Sequence, residues 1–75
     1  MVRYEKVVSE GLGFDKAMEA LLDNKKVSRA IWEGYWEIRE TEFGMLIVAE
    51  LKSGHTAIAS PYQEDLLSFD WRIVE

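Results

Sequence analysis

Residues 35–51 read YWEIRETEFGMLIVAEL and have the pattern of a β-hairpin. Within residues 35–41 the apolar Trp36 and Ile38 alternate with the charged Glu37 and Arg39, which is typical of a strand with one buried and one solvated face. Residues 45–51 are rich in branched apolar side chains, which favour strands. The Glu-Phe-Gly segment at residues 42–44 suits a tight turn between them. The stretch therefore predicts two antiparallel strands.

A helix and two more strands are predicted on either side of this hairpin. The apolar residues of segment 14–23 fall on one stripe of an amphipathic helix, and Asn24 can close it in the left-handed conformation. Residues 27–32 then form a short strand. After the hairpin, a turn at residues 52–55 leads into a strand at residues 56–59.

A short second helix and a last strand complete the chain. Ser60 has the position of an N-cap, Pro61 that of the first helical residue, and Gln63, three residues after the cap, completes a capping box. The helix should run to about residue 68, and residues 71–74 have strand character.

These elements predict an α+β fold in a single domain. An N-terminal helix packs on a mainly antiparallel sheet of about five short strands, with a short second helix before the last strand. Residues 1–12 are predicted to be an edge strand or an arm that reaches a neighbouring subunit, and residues 13–75 form the domain itself.

Size and composition restrict the classes of function. A chain of 75 residues buries only about 60% of its unfolded surface, and with no cysteine and one histidine it has neither disulfides nor a structural zinc site. Self-association is the remaining stabiliser, so we expect a homo-oligomer. The net charge of −5 argues against a DNA or RNA polymer as partner. No apolar run fits a membrane span or a signal peptide, so the cytosol is the expected location.

Few residues are suited to catalysis. His55, the only histidine, lies in a predicted hairpin turn, where a solvated surface residue is the simpler interpretation. Glu64 and Asp65 fall in the first turn of the second helix, where acids stabilise the helix dipole. We therefore expect no catalytic residue, no metal ion and no cofactor.

The aromatic residues are the better candidates for function. Trp32, Tyr35 and Trp36 fall within five residues, and Trp71 lies on the last strand. Two interpretations stay open for each indole: burial in a core that needs large side chains, or a surface on which a planar base stacks. Stacking is compatible with an acidic protein because the base is neutral.

Cations precede these aromatic residues. Lys25 and Lys26 are either solvated charges at a helix end or a grip for phosphate. Arg29 suits a bidentate partner, which is either a carboxylate such as Asp70 or a phosphate. Because residues three apart on an ideal strand point to opposite faces, Arg29 and Trp32 converge only if the strand bends or if two subunits contribute.

Two segments resemble a known family. Residues 25–32, KKVSRAIW, and residues 61–71, PYQEDLLSFDW, together with Phe14, Ala17 and Leu21, are similar to a small phage and bacterial domain whose members include the second Thoeris anti-defence protein. The resemblance implies a sponge that binds cyclic ADP-ribose isomers or cyclic dinucleotides released by bacterial immune enzymes, without cleaving them. It also implies a homo-oligomer, typically a tetramer, with ligand pockets between subunits.

The resemblance also implies which residues form the site. The family pattern falls on Arg29 and Trp32 in the first segment and on Asp65, Asp70 and Trp71 in the last, with the two aspartates interpreted first as fold residues. The candidate ligand-binding residues are Trp32, Arg29, Trp71, Trp36, Tyr62, Lys26 and Asp70. The chain departs from the family at Ala59, where many relatives have tryptophan, and at Tyr62, where they often have serine.

Two other functions stay open from the sequence. The exposed aromatic residues and the N-terminal arm could instead dock another protein, with no nucleotide involved. A small hydrolase that cleaves the messenger is the second alternative, and it predicts turnover of the ligand where a sponge returns the ligand intact.

Overall fold

A computed structural model describes residues 6–75, in which six strands form one antiparallel sheet. Residues 1–5, part of the predicted edge strand or arm, lie outside the described residues. In chain order the elements are β1 (Val7–Leu12), α1 (Phe14–Leu22), β2 (Lys26–Arg29), β3 (Tyr35–Thr41), β4 (Gly44–Glu50), β5 (Thr56–Ile58), α2 (Gln63–Leu67) and β6 (Trp71–Val74). The strands are ordered β1-β6-β2-β3-β4-β5, and every neighbouring pair is antiparallel.

Helix α1 forms where the apolar stripe predicts it. Ala17, Ala20 and Leu21 are buried, and they pack in one cluster with residues of the sheet. Asp15 lies in the first turn, where its charge suits the helix dipole. Asn24 has a φ of 61°, which confirms the predicted left-handed closing residue.

The central hairpin is also confirmed. Strands β3 and β4 pair in register from Tyr35 opposite Glu50 to Thr41 opposite Gly44. Gly44 has a φ of 100°, a conformation that glycine adopts without steric cost, so the turn residue predicted from sequence is the one that reverses the chain. Strand β5 then continues the sheet on the other side of β4.

The sheet differs from the prediction at two places. It has six strands among the described residues instead of about five, because β1 pairs with β6 as an edge strand. Strand β2 ends at Arg29 and not at residue 32, because the chain turns there: the Trp32 N–H donates to the Arg29 carbonyl at 2.9 Å. This turn moves Trp32 out of the strand.

The predicted start of the second helix was wrong. Helix α2 begins at Gln63 with Tyr62 as its N-cap residue, so Ser60 does not cap it and Pro61 is not its first helical residue. The physical reason is the Asp65 carboxylate, which accepts the Tyr62 N–H at 2.8 Å and thereby fixes the start of the helix.

Both helices lie on the same face of the sheet. Helix α1 packs on β2, β3 and β6, and α2 is held on that face by the fully buried Trp71, whose indole N–H donates to the Asp65 carbonyl at 2.8 Å. Val27 and Trp36 belong to the same core cluster. Because side chains alternate along a strand, Tyr35 and Val48 point to the opposite face of the sheet, and both are buried.

Candidate ligand-binding cleft

A cleft of about 470 Å³ opens beside the core, between the β2–β3 turn, the β4–β5 end of the sheet and the start of α2. Its walls are residues 31–36, residues 49–52 and residues 57–60, together with Arg29, Tyr62, Glu64 and Asp65. The cleft therefore joins two parts of the chain that are far apart in sequence, residues 29–36 and the start of the second helix.

Indole rings form the inner side of the cleft. Trp32 is half-buried and Trp36 is buried, with their ring centroids 5.1 Å apart and their planes 40° apart. Trp71 packs behind both, at 5.3 Å from each ring centroid, and does not line the cleft. Trp71 thus holds the other two rings in place, while Trp32 presents part of its ring to the cleft.

Arg29 and Trp32 converge because strand β2 bends at its end. The guanidinium carbon of Arg29 lies 6.0 Å from the Trp32 ring centroid. The sequence left two ways for these side chains to meet, a bent strand or two subunits. The bent strand is present within a single chain.

The Arg29 guanidinium is paired with two carboxylates. Its Nε and Nη2 donate to the two oxygens of Asp70 at 2.9 and 3.3 Å, and its Nη1 donates to Asp65 at 2.9 Å. The hydrogen bond to Asp70 raises the pKa of Arg29 above its ordinary value, with a smaller contribution from Asp65 and an opposing effect of burial. The sequence predicted either a carboxylate such as Asp70 or a phosphate as the bidentate partner of Arg29, and in the structure Asp70 is that partner.

Asp65 connects three parts of the site. One carboxylate oxygen accepts from Arg29 and the other from the Tyr62 N–H, while its carbonyl accepts from the Trp71 indole. The side chain is buried. Asp65 thus ties α2 to β2 and β6, in agreement with the structural role predicted for it from the sequence.

Sequence reasoning missed Glu50. This buried acid ends β4, where its carboxylate accepts hydrogen bonds from Arg39 and, at 3.1 Å, from Thr56. Hydrogen bonding, chiefly to Glu37 and also to Glu50, raises the pKa of Arg39. The sequence offers no local signal for this network, because the pairing of β4 with β3 and β5 creates it.

The cleft brings together some of the candidate residues and not others. Trp32, Trp36, Arg29 and Tyr62 line it. Asp70 and Trp71 lie behind it, as the partners of Arg29 and of the indole cluster. Lys26 lies apart, with its Nζ 4.8 Å from the Tyr35 ring centroid and next to a separate cavity of about 440 Å³.

His55 and Lys52 both lie at the surface. His55 is exposed in its turn, with Nδ1 2.8 Å from the Ser53 hydroxyl, which confirms the surface interpretation. Lys52, on the rim of the cleft, pairs with Glu33 at 3.4 Å. Over residues 6–75, no cluster of three or more acidic or histidine side chains is arranged to hold a metal ion. No helix in that range has the length and apolar character needed to cross a bilayer.

The structure is that of a small α+β domain, in which a six-stranded sheet and a short helix border an aromatic-walled cleft. Residues 12–74 match the family model described as Tad2-like, the Thoeris anti-defense 2-like domain, and the chain belongs to this family. The match supports a role in Thoeris anti-defence, and the family is not known as a family of enzymes. Comparison with curated proteins gave no significant match.

Proposed function

We propose that this chain binds a cyclic nucleotide immune messenger, a cyclic ADP-ribose isomer or a cyclic dinucleotide, and sequesters it without cleavage. Bacterial anti-phage signalling is thereby inhibited. The observation that carries this proposal is the cleft itself: about 470 Å³ of space, beside the half-buried Trp32, in a chain of the Tad2-like family. Pockets for small molecules commonly have volumes of about 300–1,000 Å³ with aromatic walls.

Binding without cleavage suits the polar groups of the cleft. Arg29 and Asp65 are committed to each other and to the fold, and the chain's only histidine, His55, does not line the cleft. A hydrolase needs a nucleophile, or a water, held beside an oriented general base. Of the acids that line the cleft only Glu64 lacks a partner, and its exposed carboxylate has no second group among residues 6–75 that orients it. A sponge needs only affinity and slow release.

The proposal includes self-association of the chain, in which a second copy covers the cleft. Ile31 and Tyr62 on the rim of the cleft are 70% and 72% exposed, and exposed apolar groups beside a pocket favour its closure by a second copy of the chain. A homo-oligomer, with a tetramer as the family implies, would place the ligand between subunits.

Calorimetry and recovery of the ligand test the proposal together. A panel of cyclic ADP-ribose isomers and cyclic dinucleotides should include at least one member that releases heat on titration. After heat denaturation of the complex, chromatography should recover that ligand unchanged. The absence of heat for the whole panel would contradict binding, and products that accumulate beyond one equivalent per chain would establish a hydrolase instead.

The variant Trp32→Ala tests the location of the site. We expect the Kd to rise about tenfold or more, because stacking contributes roughly 1–3 kcal/mol per base. Phe43→Ala is the matched control, since Phe43 is an exposed aromatic residue in the β3–β4 turn that does not line the cleft. Circular dichroism establishes that both variants are folded. An unchanged Kd for folded Trp32→Ala would place the site elsewhere.

A further inference from the structure

The charges around the cleft have the wrong sign for a phosphate site. Over the described residues, its lining contains two cations, Arg29 and Lys52, and four acids, Glu33, Glu50, Glu64 and Asp65. Both cations are already paired, Arg29 with Asp65 and Asp70 and Lys52 with Glu33. A phosphate in the cleft would therefore meet excess negative charge and compete with pairs that are already formed.

Glu64 differs from the other acids of the cleft. Its carboxylate has no hydrogen-bond or ion-pair partner among residues 6–75, whereas those of Glu33, Glu50 and Asp65 each have at least one. It is exposed and lines the same cleft as Trp32. An ionised carboxylate accepts hydrogen bonds and donates none, so it fits a ligand group that carries N–H donors.

We infer that the cleft takes the nucleobase of the messenger, an amino-bearing purine whose N–H groups donate to Glu64, and leaves the phosphates outside. This inference rests on the proposed function. The base is the one part of a cyclic nucleotide that is neutral, planar and supplied with donors, so it suits an aromatic wall and an acceptor together. The phosphates then face solvent or a second subunit, away from the acids of the cleft.

The variant Glu64→Gln tests this assignment through the sign of its effect. If Glu64 accepts from the base, the Kd for the messenger rises about tenfold, because hydrogen bonds to charged groups are the stronger ones. If a phosphate lies beside Glu64 instead, removal of the negative charge lowers the Kd. Glu42→Gln is the matched control: it makes the same change in net charge at an exposed position in the β3–β4 turn, outside the cleft, and should leave the Kd unchanged.

Salt dependence gives a second readout on the unmodified protein. The same panel of cyclic ADP-ribose isomers and cyclic dinucleotides is titrated at about 50 and about 500 mM NaCl, conditions between which exposed charges become strongly screened. We expect the Kd to stay the same or to fall at high salt, because screening weakens the repulsion between phosphates and the acids of the cleft. A Kd that rises about tenfold at high salt, or that falls in Glu64→Gln, would overturn the inference and leave the proposed function standing. If no panel member binds the unmodified protein, the proposed function itself fails.

Discussion

At the scale of single residues, Arg29 is the centre of the site's structure. Its side chain is only 10% exposed, and its three hydrogen bonds reach carboxylates on α2 and just before β6. The planar guanidinium can hold two carboxylates in fixed directions at once, which a lysine ammonium cannot do. Arg29 therefore acts on the cleft mainly through the groups that it positions.

Arg29→Ala should lower the free energy of unfolding by about 3 kcal/mol, because it leaves the buried carboxylate of Asp65 without its charged partner. Urea unfolding followed by tryptophan fluorescence measures this loss. Pairing raises the pKa of Arg29, so its contribution is present at neutral pH and would be lost only as the pH rises through that raised pKa. Lys25→Ala breaks the exposed pair with Asp23 and should cost less than about 0.5 kcal/mol. Equal losses in the two variants would contradict this role for Arg29.

At the scale of elements, the start of β3 is fixed by a close approach of two backbones. A Cβ at Gly34 would lie 2.1 Å from the carbonyl oxygen of Glu50, at the end of β4. The Gly34 carbonyl also accepts the Ser28 hydroxyl at 2.7 Å, which ties the β2–β3 turn to β2. The close contact between Gly34 and Glu50 therefore fixes the position of the β2–β3 turn, which carries Trp32 into the cleft wall.

Gly34→Ala should therefore destabilise the fold by about 3 kcal/mol, because backbone atoms and not a flexible side chain must move to admit the methyl group. Thermal and urea unfolding provide the measurement. Gly44→Asn is the control, since a Cβ at Gly44 meets nothing within 4 Å and only its positive φ is strained. The close approach would be disproved if Gly34→Ala cost no more than Gly44→Asn.

Local sequence patterns predict those helix and strand bounds that are set by neighbouring residues. The bounds of β3 and β6 and the closing residue Asn24 follow from alternation and turn chemistry. The start of α2 does not, because a capping-box pattern at Ser60 competes with a carboxylate, Asp65, that is held by Arg29 from 36 positions away. The start of α2 is thus set by an ion pair between residues far apart in sequence, which a local pattern does not reveal.

The residues of the cleft could also be predicted from the sequence only in part. Its residues Trp32, Trp36, Arg29 and Tyr62 were predicted from the sequence, both from the clustering of aromatic and cationic residues and from the family resemblance. Glu50 and the wall formed by residues 57–60 were not, because they reach the cleft only through the β4–β5 pairing. Periodicity indicates which face of a strand is buried but not which strand ends meet.

At the scale of the whole molecule, the sheet carries its helices on one face and leaves large apolar side chains exposed around the cleft. Ile31 is 70% exposed in the β2–β3 turn, and Tyr62 is 72% exposed across the cleft. A domain of 75 residues has a small core, so burial of this rim in an oligomer would add stability that the single chain lacks.

The variant Ile31→Lys tests whether the rim is the contact between copies. Light scattering on the unmodified protein should give a multiple of the 8.7 kDa chain mass, and the variant should shift that mass towards a single chain, because a lysine ammonium is costly to bury in an apolar contact. Phe43→Lys makes the same kind of change at a residue that is 80% exposed in the β3–β4 turn, outside the cleft, and should leave the mass unaltered. If Phe43→Lys dissociates the oligomer and Ile31→Lys does not, the contact lies at the turn end of the hairpin and the cleft stays open to solvent.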